Sequence, residues 1–157
     1  MQSRINAQKV GGPAYQAMLG LEMFVRKTKL EPSLLELVKM RASQINACAF
    51  CLDMHSKDAR AAGESEQRLY ALNAWRETPF FTDRERAALA WTEAVTLVAE
   101  SHVPDTVYEE ARAQFSEEEL VNLTLAIVTI NGWNRLSVAF RAVPGEYQPP
   151  AHKTEGA

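Results

Sequence analysis

Residues 48–55 read CAFCLDMH and hold both cysteines of the 157-residue chain with one of its three histidines. Thiols three apart, with an imidazole four residues beyond the second, suit a dithiol/disulfide redox centre, part of a zinc site, or two buried thiols with no chemistry. On a helix, Cys48, Cys51 and His55 share one stripe. Cα atoms at i and i+3 lie about 5 Å apart, within the span a disulfide tolerates, so such a pair opens and closes without unfolding the helix.

Two local arguments disagree about which sulfur is the nucleophile. A helix start favours negative charge, which points to Cys48. An imidazole one turn away assists ionisation, and His55 is one turn from Cys51 but about 10 Å from Cys48. The stakes are large: a thiol of pKa about 8.5 is roughly 3% thiolate at pH 7, and one near 6.5 is roughly 75%. Residue spacing leaves the choice open. For zinc, Cys48, Cys51 and His55 supply three ligands and His102 a fourth, yet no second Cys/His pair stands elsewhere, as a two-element structural site needs. Otherwise His102 reads as a loop residue and His152 as a tail residue.

The elements that position these groups read as helices. Pro13 opens one carrying Tyr15, Met18, Leu21 and Val25, ending near Lys29; Pro32 opens the next, with Leu34, Leu35, Val38, Ala42 and Ile45 on a stripe. Asn46 is the expected cap of a third over 47–62, stopped by Gly63. Ser65 starts a segment with Leu69, Leu72 and Trp75. Capping boxes at Thr82–Glu85 and Ser116–Glu119 precede helices holding Leu89, Ala90, Ala94, Leu97 and Val98, and Leu120, Leu123, Ile127, Ile130 and Leu136. Pro104 begins a short helix ending near Phe115. Strand alternation is absent, so the expectation is an all-α, single helical domain of six to seven helices over 1–146, with an extended or disordered tail over 147–157. Met18, Met23, Met40 and Met54 are expected as core filler, Trp75, Trp91 and Trp133 as core or interface anchors, and Asn131, Asn134 and Arg135 as interhelical or intersubunit hydrogen-bonding groups.

Composition narrows the class. An apolar fraction of 46% with 24% charged residues is that of a globular protein. Net charge of −3 and no dense Lys/Arg cluster argue against nucleic acid. No stretch approaches the length that spans a bilayer, so no membrane is expected. A cytoplasmic setting is the default. There thiols stay reduced unless they turn over, so paired cysteines favour redox or metal chemistry.

Residues 36–64, ELVKMRASQINACAFCLDMHSKDARAAGE, resemble the core of the carboxymuconolactone decarboxylase family, in its alkyl hydroperoxidase D-like branch. That branch carries Glu, eleven residues, Cys-x-x-Cys, three residues and His, matched by Glu36, Cys48, Cys51 and His55. The segments FTDRERAALAWTEAVT and INGWNRL are also similar to it, so the likeness touches most of residues 13–146. The resemblance implies an all-helical, oligomeric protein, a trimer or hexamer, that reduces hydroperoxides. It implies Cys51 as the peroxidatic thiol, Cys48 as the resolving one, and Glu36 with His55 as a proton relay through water. It further implies a lipoylated or thioredoxin-like reductant. The best-known peroxidases of this type carry a second histidine directly before the second cysteine, where this chain has Phe50. A phenyl ring moves no protons, so slower peroxide turnover, or an oxidant such as another disulfide or an electrophile, follows. No glycine-rich phosphate loop stands out, so no organic cofactor is expected. A non-enzymatic alternative is an oligomeric module whose dithiol senses oxidation; a sensor titrates once, whereas an enzyme cycles when supplied with reductant.

Overall fold

A computed structural model describes residues 2–150, and among them every regular element is helical. The helices are α1 (Ala7–Val25), α2 (Pro32–Ile45), α3 (Ala49–Ala61), α4 (Glu66–Ala71), α5 (Asp83–Thr96), α6 (Val98–Ser101), α7 (Asp105–Gln114) and α8 (Glu117–Phe140), with a 3₁₀ segment, Leu72–Glu77, after α4. Local chemistry sets most boundaries. Both capping boxes form: the Thr82 and Ser116 hydroxyls accept from the Glu85 and Glu119 N–H groups, while each glutamate accepts from its cap residue's backbone. Pro32 occupies the first turn of α2, where its missing N–H costs nothing.

Several boundaries differ from expectation. α1 begins at Ala7 under an Asn6 cap and ends at Val25; it breaks at Gly12 (φ 44°, ψ −121°), because a residue before proline avoids the helical region and glycine accepts the positive φ. α5 stops at Thr96 and a separate α6 follows, which makes eight helices rather than six or seven among the described residues. The Ser101 hydroxyl folds back onto the Ala94 carbonyl at 2.6 Å, satisfying the end of α5 and leaving Leu97 and Val98 exposed rather than in the core. Met40 is buried as expected, but Met23 points outward.

α2 is the central element, packed against α3, α5 and α8. Leu34, Leu35 and Val38 face Trp91, Leu123, Ala126 and Ile127 in the larger core cluster, while Leu37 and Met40 join Leu72, Trp75, Phe81 and Leu89 in a second. α1 lies along α8, where a Cβ added at Gly132 would stand 2.7 Å from the Met18 methyl. Residues 144–150 carry no helix and run across α3: Lys57 Nζ donates to the carbonyls of Gly145 and Tyr147, and the Tyr147 hydroxyl donates to Asp58. The rest of the tail, His152 included, lies outside the described residues. No helix among the described residues is long and apolar enough to cross a membrane.

Candidate active site

The joint between α2 and α3 places the first cysteine. Asn46 ends α2 and Ala47 takes a left-handed conformation (φ 50°). The Ala47 N–H then reaches the Gln44 carbonyl and the Cys48 N–H reaches the Ser43 carbonyl, which is the Schellman closure. With no spacer, Cys48 becomes the N-cap of α3, and its sulfur accepts the Cys51 N–H at 3.4 Å. A cysteine sulfur thus fills the place usually taken by a serine or aspartate oxygen. Asn46, expected as this cap, does other work: its side-chain amide donates to Asn131 and Asn134 Oδ1, both at 2.9 Å, and ties the joint to α8.

Both thiols are free, and each is 1% exposed. They pack with Ala42 and Ile130, with Phe50 and Trp133 against the outside of the cluster. The Cys51 thiol hydrogen-bonds to Cys48 and, with its backbone N–H and the Ser137 and Asn134 side chains, brings Cys48 down to about 7 despite burial. The same bond, burial and the charge on Cys48 push Cys51 upward. One proton is therefore held tightly by the pair and the other is lost readily, with the negative charge at the helix cap. Asn134 is buried and donates to Ser43 Oγ at 3.0 Å, which locks its amide beside the sulfurs.

The other half of the site is a chain of charges. His55 Nδ1 meets Glu36 Oε2 at 2.8 Å, Glu36 Oε1 lies 3.6 Å from Lys39 Nζ, Lys39 donates to Glu22 at 2.8 Å, and Arg26 donates to Glu22 at 2.9 Å. Burial would raise Glu36, but the His55 bond and the His55, Lys39 and Arg26 charges outweigh it and hold the carboxyl below its usual range. Glu22 is lowered similarly by Lys39 and Arg26 against its own burial. Lys39, 1% exposed, is thereby neutralised by two carboxylates. Among the described residues no hydrogen bond joins His55 to either sulfur; the histidine is oriented by Glu36.

Two cavities flank this arrangement. One, of about 260 Å³, is walled by Phe50, Trp133, Ser137, Tyr15 and the N-terminal arm. The other, about 430 Å³, is bounded by the charged side chains of Arg26, Glu36, Lys39 and Asp58 on one part of its wall and by Leu35, Tyr147, Pro32, Pro149 and Pro150 on the rest. Among the described residues, Glu36, His55 and Asp58 form the one metal-capable cluster, with ligand atoms within 4.8 Å of one another. Cys48, Cys51, His55 and His102 are not gathered; His102 caps α6 in a left-handed conformation.

The profile of the carboxymuconolactone decarboxylase family matches residues 12–94. The uncharacterized protein YdfG of Bacillus subtilis is 41% identical over 88% of this chain and 95% of its own. The chain belongs to the carboxymuconolactone decarboxylase family. A crystal structure from Agrobacterium tumefaciens, of a protein of unknown function proposed as an antioxidant defence protein AhpD, is 46% identical, superposes with a TM-score of 0.90, and covers 93% of this chain and 100% of that one. The Cys-x-x-Cys of this chain agrees with that alkyl hydroperoxidase D-like branch. The fold is shared more widely: a variant of the debrominase Bmp8, in complex with 2,3,4-tribromopyrrole, is 21% identical with a TM-score of 0.77, covering 87% of this chain and 73% of that one. The carboxymuconolactone decarboxylase fold therefore hosts more than one chemistry.

Within this member of the family, the structure unites Cys48 with Cys51 and Glu36 with His55. It adds Lys39, Glu22, Asn134 and Ser137, which spacing did not single out as site residues. Asn134 and Ser137 left a faint signal, polar positions three apart on an otherwise apolar helix; Lys39 and Glu22 left none, since lone charges usually face solvent.

Proposed function

We propose that this protein is a thiol-dependent peroxidase that reduces hydroperoxides through a Cys48/Cys51 dithiol–disulfide cycle. The observation that carries the proposal is a buried, singly ionisable thiol pair at a helix N-terminus, next to an oriented Glu36–His55 pair. Cys48 holds the charge at rest and takes the Cys51 proton as the peroxide arrives. Cys51 sulfur attacks the terminal peroxide oxygen, breaking the O–O bond to give a Cys51 sulfenic acid and an alkoxide. His55, held by Glu36 and acting through an intervening water, delivers the proton that turns the alkoxide into alcohol. The Cys48 thiol then attacks the Cys51 sulfur, forming the disulfide and releasing water. A lipoylated or thioredoxin-like dithiol protein restores the pair by exchange. Self-association into a trimer or hexamer accompanies this function; the outward apolar residues Val10, Val128 and Val138 on α1 and α8 support it.

One observation favours a second reading. A resting thiolate on Cys48, with Phe50 where the related peroxidases have a histidine, suits attack on an external disulfide by Cys48 and resolution by Cys51. Steady-state assays with dihydrolipoamide as reductant separate the two. Consumption of hydroperoxide that disappears in Cys51→Ser supports the peroxidase; turnover of a disulfide substrate without peroxide consumption supports the oxidoreductase.

A further inference from the structure

The non-helical segment 144–150 is tied down, and what it covers is the Glu36 side of the site. A terminal segment this rich in proline and polar residues stays loose unless specific bonds hold it. Gly145 takes a positive φ of 111°, which turns the chain across α3, and its N–H donates to Asp53 Oδ2 at 3.0 Å. Lys57 Nζ places its three protons here, on Asp53 Oδ2 at 2.9 Å and on the Gly145 and Tyr147 carbonyls at 3.2 and 3.0 Å. At 3.6 residues per turn, Asp53 and Lys57 stand on the face of α3 turned away from Cys51 and His55. Asp58 stands on the His55 side, and Tyr147 carries the chain round to it, its hydroxyl donating to Asp58 Oδ1 at 2.7 Å. Beyond the turn, side chains alternate as in an extended chain: Glu146 and Gln148 are exposed, whereas Tyr147 and Pro149 are half-buried. Tyr147, Pro149 and Pro150 thereby wall the cavity of about 430 Å³ onto which Glu36, Lys39 and Asp58 also face. Ligand atoms of Asp58, Glu36 and His55 lie within 4.8 Å of one another, so the anchor of Tyr147 adjoins the Glu36–His55 pair. Only 16% of the Glu36 side chain is left exposed.

We propose that residues 144–150 are a strap that keeps bulk water off the Glu36–His55 pair, and that Tyr147 is the positioning residue that seats it. The inference rests on the peroxidase reading. The contact of a carboxylate with an imidazole strengthens as water is removed from around it, because the local dielectric falls. Tyr147 acts through Asp58 and through the wall it builds, not on the reacting atoms. Its phenol suits anchoring rather than proton transfer, since burial and the Asp58 carboxylate push it up to about 12. Loosening the strap admits water to Glu36 and weakens its hold on His55. The Cys48–Cys51 pair, set by the α2–α3 joint and by Asn134 and Ser137, keeps its own hydrogen bonds when that happens.

The test reads Glu36 directly, in reduced full-length wild type, Tyr147→Ala and Lys57→Met. The first variant removes the bond to Asp58, and the second removes both carbonyl bonds at the other end of the strap. Each protein is treated with a water-soluble carbodiimide and glycine ethyl ester, and the label on Glu36 is followed by peptide mass spectrometry. Glu117, 87% exposed on α8, is the internal reference. The same proteins are mixed in single turnovers with cumene hydroperoxide and, separately, with iodoacetamide. Relative to Glu117, Glu36 should label at least fivefold faster in both variants. Peroxide reduction should fall at least fivefold in both, while thiol alkylation stays within twofold of wild type. Glu36 labelling unchanged in the folded variants overturns the strap. Faster labelling with an unchanged peroxide rate, or with an equal fall in alkylation, overturns the positioning role of Tyr147. If wild type reduces no hydroperoxide, the peroxidase reading fails by itself, and the labelling alone then upholds or removes the strap.

Discussion

Cys48 caps the helix that carries Cys51: the Cys51 N–H points at the Cys48 sulfur across 3.4 Å, and the Cys51 thiol hydrogen-bonds to the same atom. One sulfur is thus set up as the anion and the other as its proton donor. The pair should lose its first proton at about pH 7, with Cys48 the group that ionises, and hold its second far into the alkaline range. Thiolate absorbance against pH, compared between wild type and Cys48→Ser, checks this. A midpoint near the ordinary thiol value in wild type would contradict it.

The Glu36–His55 contact predicts a second outcome. Glu36→Gln keeps the size of the side chain but gives up the carboxylate that orients the imidazole. Peroxide reduction should fall by about 100-fold, the scale of a lost general acid or base, while alkylation of Cys48 changes far less. An equal fall in both rates would mean that the substitution acts on the thiols or the fold instead.

How the residues declared themselves differs from element to element. The capping boxes at Thr82 and Ser116 depend on side chains three residues apart, so they were readable directly. Cys48, Cys51 and His55 were readable from their spacing along one helix, whereas Glu36 was legible only through the family resemblance, because its contact with His55 exists only once α2 packs on α3. The cap of α3 was misplaced by two residues because Ala47 adopts a left-handed conformation that propensity assigns to glycine or asparagine. The Glu22–Lys39 pair was illegible, since α1 and α2 must pack before a lysine within an apolar stripe reveals a partner seventeen residues away.

Ala47 gives a third prediction. A side chain at φ 50° costs about 1 kcal/mol or more, and glycine bears no such cost. Ala47→Gly should stabilise the protein by about 1 kcal/mol in urea denaturation, offset in part by the flexibility glycine adds to the unfolded chain. Destabilisation would show that the left-handed joint is not populated.

Lys39 gives the fourth. Lys39→Met leaves the Glu22 and Glu36 carboxylates facing a methyl group and should cost about 3–5 kcal/mol at neutral pH. The wild type carries the matching acid sensitivity. Both carboxyls are lowered from an ordinary value of 4.5, so their stabilisation is complete above that pH and is lost as pH falls through the lowered folded values. Urea midpoints between pH 7 and 3 should fall below about 4.5 in wild type, and should fall less in Lys39→Met. A flat profile would contradict the buried charge chain.

The most direct test of the central claim mixes reduced protein with one equivalent of cumene hydroperoxide and weighs the products by mass spectrometry, using a sulfenic-acid trap. Wild type should close an intramolecular Cys48–Cys51 disulfide, Cys48→Ser should yield a trapped sulfenic acid at Cys51, and Cys51→Ser should react at least tenfold more slowly. If wild type reacts no faster than free cysteine, peroxide is not its substrate and the dithiol serves another oxidant.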